Sequence, residues 1–170
     1  FPEYDFCYCD TCTSDFKEKS GIDITAIEDP SHVQEWKQYR YDVITKLVNR
    51  LADIVHDKGK KINAAVFPGP SIAKKLVRQE WNKWNLDAFF PMNYNDFYMG
   101  NTLWIGSVVK EEATAVPDKP VYSGLFSGHV PAADLERAVR VAKENGAAGF
   151  SLFSLGDVSE EHWAVLAEMD

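Results

Sequence analysis

No run of lysine and arginine occurs in this 170-residue sequence, whose 18 basic residues are outnumbered by 26 acidic ones for a formal net charge of −8. Nucleic acid and anionic membrane are bound through basic patches that neutralise phosphate, so their absence argues against both partners. Long apolar runs are missing as well. The longest are strand-sized, well short of the roughly 20 residues that span a bilayer as a helix, so no membrane span is expected. There is no phosphate-binding glycine loop: Gly69-Pro70-Ser71 lacks both the Lys-Ser/Thr partner and the G-x-G-x-x-G order. No H-E-x-x-H occurs, and Gly149–Phe153 (GFSLF) fails the G-x-S-x-G elbow at its second glycine. No internal repeat, low-complexity tract or leader pattern is found, and cysteine is limited to three residues.

Apolar residues make up 45% of the chain, with 10 Phe, 7 Tyr and 5 Trp, which is enough to build a core for one domain over residues 1–170. Four short apolar segments punctuate it: Ile62–Pro70, Leu86–Asp96, Lys119–His129 and Ala147–Asp157. Their cores lack polar alternation and helical stretches separate them. That pattern predicts an α/β fold of four parallel βα units with both sheet faces covered. In such folds the residues just past each strand carry function. Here these are Pro68, Asn93, Tyr94, Asn95, Ser127, His129, Ser154 and Asp157. Val66, Phe90, Leu125 and Phe153 are expected to face the sheet's inner side.

Residues 1–30 read as an irregular, cysteine-containing loop with one short helical turn near residues 14–19. Ser31 is expected to cap a long helix through S-H-V-Q, with Val33, Trp36, Val43, Leu47, Leu51 and Ile54, together with Ile44, Val48 and Val55, on one apolar face and Gly59 as its stop. Ser71 opens a second helix. Residues 97–118 stay ambiguous, with a helix over 104–116 as one reading. Leu135, Val139 and Ala142 mark a helix stopped by Gly146, and Ser159 caps the last.

Cys7, Cys9 and Cys12 form C-x-C-x-x-C. Three thiolates so spaced hold a zinc ion when a fourth ligand joins them, for which Asp10, His32 and water are candidates. A local disulfide with one free thiol, and three reduced thiols, are the alternatives. Among the acids, Asp96 and Asp157 follow strands and read either as catalytic carboxyls or as turn caps. Glu3 and Asp5 read as loop charges or substrate contacts, and Asp87, at the start of its strand, as a structural cap. His129 reads as an acid, a ligand or a lone exposed histidine.

The run Gln79–Asp96 (QEWNKWNLDAFFPMNYND) resembles the W-x-x-W…LD-x-x-x-PM-x-Y segment of the family-10-like glycosyl hydrolases, which are TIM-barrel proteins. FPEYD at Phe1, the segment Glu35–Leu51 and INAAVFPGP resemble, in order, the stretch after strand four, the next helix and the fifth strand of that family. The likeness covers about residues 1–96. It implies a partial (β/α)8 barrel, strands five to eight, forming the C-terminal part of a glycoside hydrolase that acts on a polysaccharide or cell-wall glycan. It also implies a secreted, periplasmic or cell-surface setting. FPEYDF reads as the middle of a domain, and the family's motif Asp falls upstream of Phe1, so little hydrolysis is expected from this chain alone.

On that resemblance Asn93, Tyr94, Asn95 and Ser154 lie at the active face. Amides and a phenol hydrogen-bond sugar hydroxyls, and a tyrosine ring packs on a pyranose. Tyr98 and Trp104 either line the same cleft or pack in the helix layer. The alternative to an enzyme is a non-catalytic carbohydrate-binding or interaction α/β domain. A four-stranded piece leaves two strand edges and an inner face open, so a homodimer, or the missing N-terminal half of the barrel, is the expected partner.

Overall fold

The computed structural model describes residues 7–169. The chain alternates helix and strand: α1 (Asp10–Ser20), α2 (Gln34–His56), β1 (Asn63–Val66), α3 (Pro70–Val77), β2 (Ala88–Pro91), α4 (Thr102–Ala115), β3 (Tyr122–Phe126), α5 (Ala132–Glu144), β4 (Gly149–Phe153) and α6 (Glu160–Glu168). This is an α/β architecture with parallel strands. Among the described residues no helix is long and apolar enough to cross a membrane.

Each strand is followed by a helix that returns the chain to the same starting edge, which makes neighbouring strands parallel. β1 pairs with β2 from Asn63↔Ala88 to Val66↔Pro91, and β3 with β4 from Tyr122↔Gly149 to Phe126↔Phe153. Two isolated parallel bridges, Phe89↔Val121 and Met92↔Gly124, join the pairs, so spatial order follows chain order. Gly124 permits the second bridge. A Cβ there would stand 2.6 Å from the Pro91 carbonyl oxygen.

The strand period of two decides which side chains meet the helices. Val66 and Phe89 are buried with Trp81, Trp84 and Leu86 in one core, which Ala52 of α2 and Val116 at the end of α4 complete. Leu125 is buried with Ile105, Val109, Leu135 and Val139 in a second core between α4 and α5. Removal of such fully buried side chains from water contributes about 1.5–3 kcal/mol each. The expectation for the inner face is therefore half corrected. Val66 and Leu125 point to the helices, whereas Phe90 and Phe153 border a cavity of about 250 Å³ on the other side of the sheet. Phe90 stacks there on Tyr122, their centroids 5.0 Å apart.

Other local expectations are corrected too. The cysteine loop is not irregular, because residues 10–20 form helix α1. Asp10 in its first turn and Lys17 and Lys19 in its last complement the helix dipole. Gly21, at φ 74°, ends it with an N–H to Lys17 O bond. Phe16 anchors α1 against Trp36 at 4.9 Å, and Ile24 completes this third core. Ser31 does not cap α2. It lies in a short 3-10 turn, Pro30–His32, capped by Asp29, and α2 begins after Val33. The ambiguous stretch 97–118 resolves into a 3-10 turn, Asn95–Tyr98, and α4, capped by the Asn101 side chain. Ser159 caps α6 as expected.

Candidate functional site

The C-terminal ends of the four strands meet at one edge, and hydrogen bonds tie the loops that leave them. Met92 N donates to Val66 O at 2.8 Å, Ser127 N to Phe153 O at 2.8 Å, and Ser127 Oγ to Ser154 O at 2.8 Å. Asn93, Tyr94, Asn95 and Asp96 thus share an edge with Phe67–Pro70 and with Ser154. The Phe153–Ser154 peptide is cis.

An aromatic shelf occupies this edge. The Tyr94 ring lies 5.5 Å from Phe126, 5.8 Å from Phe97 and 6.1 Å from Phe153. His129 closes the group, 4.6 Å from Phe126 and 5.6 Å from Phe97. Phe97 is 60% exposed and Phe153 57%, so the shelf offers apolar ring surface to solvent. Partial burial raises the Tyr94 hydroxyl above its ordinary pKa, which keeps it a neutral donor. Tyr98 does not join this group. It stacks on Trp104 at 5.2 Å, and Trp104 packs against the core between α4 and α5. For Trp104 the helix-layer alternative fits the geometry.

Two carboxylates of the edge have local partners. Asp157 Oδ2 accepts from Ser154 Oγ at 2.7 Å and from Ser154 N at 3.4 Å, which closes a capping box around the turn Leu155–Asp157. Asp96 Oδ1 accepts from Asn95 Nδ2 at 3.0 Å, and its Oδ2 lies 3.4 Å from His129 Nδ1. Asp96, Asn95, Asn101, His129 and Asp134 border a cavity of about 370 Å³ beside the first turns of α4 and α5. Glu3 and Asp5 lie outside the described residues. Asp87 is the structural cap expected of it: its Oδ2 accepts from Ile62 N at 2.8 Å and faces His56 Nε2 at 3.0 Å. The Ile62 amide and then His56 hold its carboxyl below the usual range.

Sequence reasoning missed Glu112. This residue of α4 is fully buried beneath the edge. Its Oε1 accepts from Gly69 N at 2.9 Å and its Oε2 from Asn93 Nδ2 at 3.1 Å. The same Asn93 nitrogen donates to Ser123 Oγ at 3.0 Å, while Asn93 Oδ1 is buried without a hydrogen-bond partner. Burial pushes the Glu112 carboxyl up to about 8. The signal was legible: Glu112 continues the helical row Ile105, Val108, Val109, Val116, whose other members are apolar and buried. Asn93 is therefore first a residue that binds the fold together. Of that run, Tyr94 and Asn95 are half-buried and Asp96 is exposed.

The cysteines converge at the start of α1. Cys7 Sγ lies 3.3 Å from Cys9 Sγ and 3.8 Å from Cys12 Sγ, and all three sulfurs fall within 4.8 Å of one another. No disulfide joins them, and the cluster can hold a metal ion. Hydrogen bonds from the Cys12 backbone N–H and the neighbouring thiols lower the Cys9 pKa. The bond to Cys9, with burial, pushes Cys12 up to about 12. Neither candidate protein ligand takes the fourth position. Asp10 stands outside the group, and His32 Nδ1 is engaged with Asp29 Oδ2 at 2.7 Å.

No family model, curated protein or solved structure matches this chain.

Proposed function

We propose that the C-terminal edge of this chain binds a polysaccharide or cell-wall glycan, and that the chain forms the C-terminal half of a glycoside-hydrolase barrel. The observation that supports this best is the shelf of Tyr94, Phe97, Phe126 and Phe153 beside Asn95, Asp96 and His129. Apolar ring faces next to fixed hydrogen-bonding groups suit the alternating C–H and O–H surfaces of a sugar. A substrate of this type belongs to the cell surface, the periplasm or the medium. The test is co-sedimentation with insoluble polysaccharides and purified cell-wall sacculi. Retention by at least one of them, lost in Tyr94→Ala, is the expected result; no retention on any of them sinks the reading.

One observation favours the non-catalytic alternative. Asp157 is committed to its capping box, so of the two carboxyls expected to catalyse only Asp96 is left without such a commitment, and hydrolysis of a glycosidic bond usually takes two. Binding without release of reducing sugar would select that alternative.

The cysteine cluster is proposed to bind zinc through Cys7, Cys9 and Cys12, with water in the fourth position. A tetrahedral, borderline-soft ion suits three thiolates.

A further inference from the structure

The cysteine cluster shares a wall with a cavity. Cys7 and Cys12 border a space of about 170 Å³ whose opposite side is α2. Trp36, Tyr39, Arg40, Val43 and Ile44 recur at helical spacing on α2, so they share one face, and Arg78 just after α3 completes the lining. Three features of this cavity point to a ligand. Trp36 is fully buried, yet its Nε1 has no hydrogen-bond partner. An indole N–H can only donate, so it calls for an acceptor. The wall is also cationic, in a chain of net charge −8. The Arg40 guanidinium carbon lies 4.6 Å from the centroid of the Trp36 ring. Burial, and then the nearby charge of Arg78, lower the Arg40 pKa to about 10, which leaves it protonated at neutral pH. No described residue that borders the cavity is acidic, and the Tyr39 hydroxyl is already engaged with Asp15 Oδ2 at 2.7 Å. Lastly, among the described residues no fourth side chain joins the three sulfurs. Zinc held by three protein ligands keeps a position at which a ligand exchanges.

We propose that a small carboxylate with an apolar body binds in this cavity, one oxygen on the metal in place of water and the other accepting from the Trp36 indole N–H. The proposal rests on the zinc reading of the cluster. Three thiolates more than neutralise a divalent ion, and the excess negative charge alone would repel an anion. The positive charge of Arg40 and Arg78 on the same wall outweighs it, and a planar guanidinium suits a carboxylate. Val43, Ile44 and the rings of Trp36 and Tyr39 make the rest of the wall apolar. A few polar groups converging on an apolar cavity are the usual form of a small-molecule site. Size agrees as well, since an apolar cavity of about 150 Å³ lodges a benzene ring.

The full 170-residue chain, loaded with Co(II) in place of zinc under anaerobic, reducing conditions, tests it. Thiolate-to-cobalt charge-transfer absorption reports the bound metal, and the d–d bands report its fourth ligand. Benzoate should shift the d–d bands saturably and bind about tenfold or more tighter than benzamide, which lacks the charge. Trp36→Phe keeps an aromatic ring in the core and breaks no hydrogen bond of the indole. Cobalt uptake and circular dichroism should therefore stay unchanged while benzoate affinity falls about tenfold or more. Arg78→Asn, which suits the left-handed backbone at φ 58°, should weaken benzoate to a similar extent. No cobalt uptake overturns the zinc reading and this proposal together. Cobalt uptake with d–d bands indifferent to benzoate overturns the proposal alone, and so does a shift that both variants leave at full strength.

Discussion

Asn93 Nδ2 donates to Glu112 Oε2 across 3.1 Å, joining the end of β2 to α4 inside the fold. The same nitrogen reaches Ser123 of β3, and the other carboxylate oxygen reaches the backbone of Gly69 after β1. The ends of β1 and β2 are thereby tied to one another and to β3 beneath the aromatic shelf. Removing the hub leaves buried groups without partners, each costing about 1–3 kcal/mol. Asn93→Ala should therefore lower unfolding free energy by on the order of 2 kcal/mol or more, read from urea titration. A loss under about 0.5 kcal/mol would mean that the network does not hold the edge.

Glu112 gives the protein a pH dependence of a definite sign. Burial holds its folded-state carboxyl up to about 8, while an unfolded glutamate titrates near about 4.3. Between those values the folded state binds the extra proton, so stability falls as pH rises through this window and the penalty is complete above it. Urea midpoints should be lower at about pH 9 than at about pH 5, and Glu112→Gln should flatten the difference. An unchanged slope in the variant refutes the assignment.

Tyr94 and Trp104 should separate binding from packing. Tyr94 sits in the shelf, whereas Trp104 packs into the core between α4 and α5. Tyr94→Ala should cut glycan retention about tenfold or more with little change in thermal midpoint. Trp104→Ala should cost about 3 kcal/mol of stability. The reverse pattern would exchange their roles.

Asp157 is expected to act through the turn it closes. Asp157→Asn keeps the size and loses the charge-assisted bond to Ser154 Oγ, and should cost about 1 kcal/mol. If the chain releases reducing sugar, that variant should keep most of the rate. A loss of about a thousandfold or more with unchanged stability would make Asp157 catalytic.

Purification without chelator should yield about one zinc per chain by elemental analysis, and Cys9→Ser should abolish it. Removal of the ion should expose the Cys9 thiolate, raising its alkylation rate at neutral pH, because the Cys12 amide and the adjacent thiols favour its charged form. Metal-free protein with a sulfur–sulfur bond would select the disulfide alternative.

Much of this molecule was legible in its sequence. The alternation of apolar strands with helical periods set the α/β class, the parallel direction and the edge where Asn93–Asp96, Ser127–His129 and Ser154–Asp157 gather, because those depend on chain order and local periodicity alone. The cap at Ser159 was equally local. Helix α1 was underestimated because Phe16 is its one buried residue, leaving little apolar period to read.

What tertiary structure decided is which neighbour each side chain meets. An apolar period reports that residues share a face, not what covers it. Trp36 is therefore sealed against Phe16 while Leu47, on the same helix, stands open. Likewise the type of an acid does not reveal its partner. Asp157 faces Ser154 three residues away, but Glu112 meets Asn93 and Gly69 across 19 and 43 residues, contacts that exist only once α4 has packed on the strand ends. The pKa of Glu112 follows from that burial, since desolvation acts on a charge only where the folded chain has removed its water.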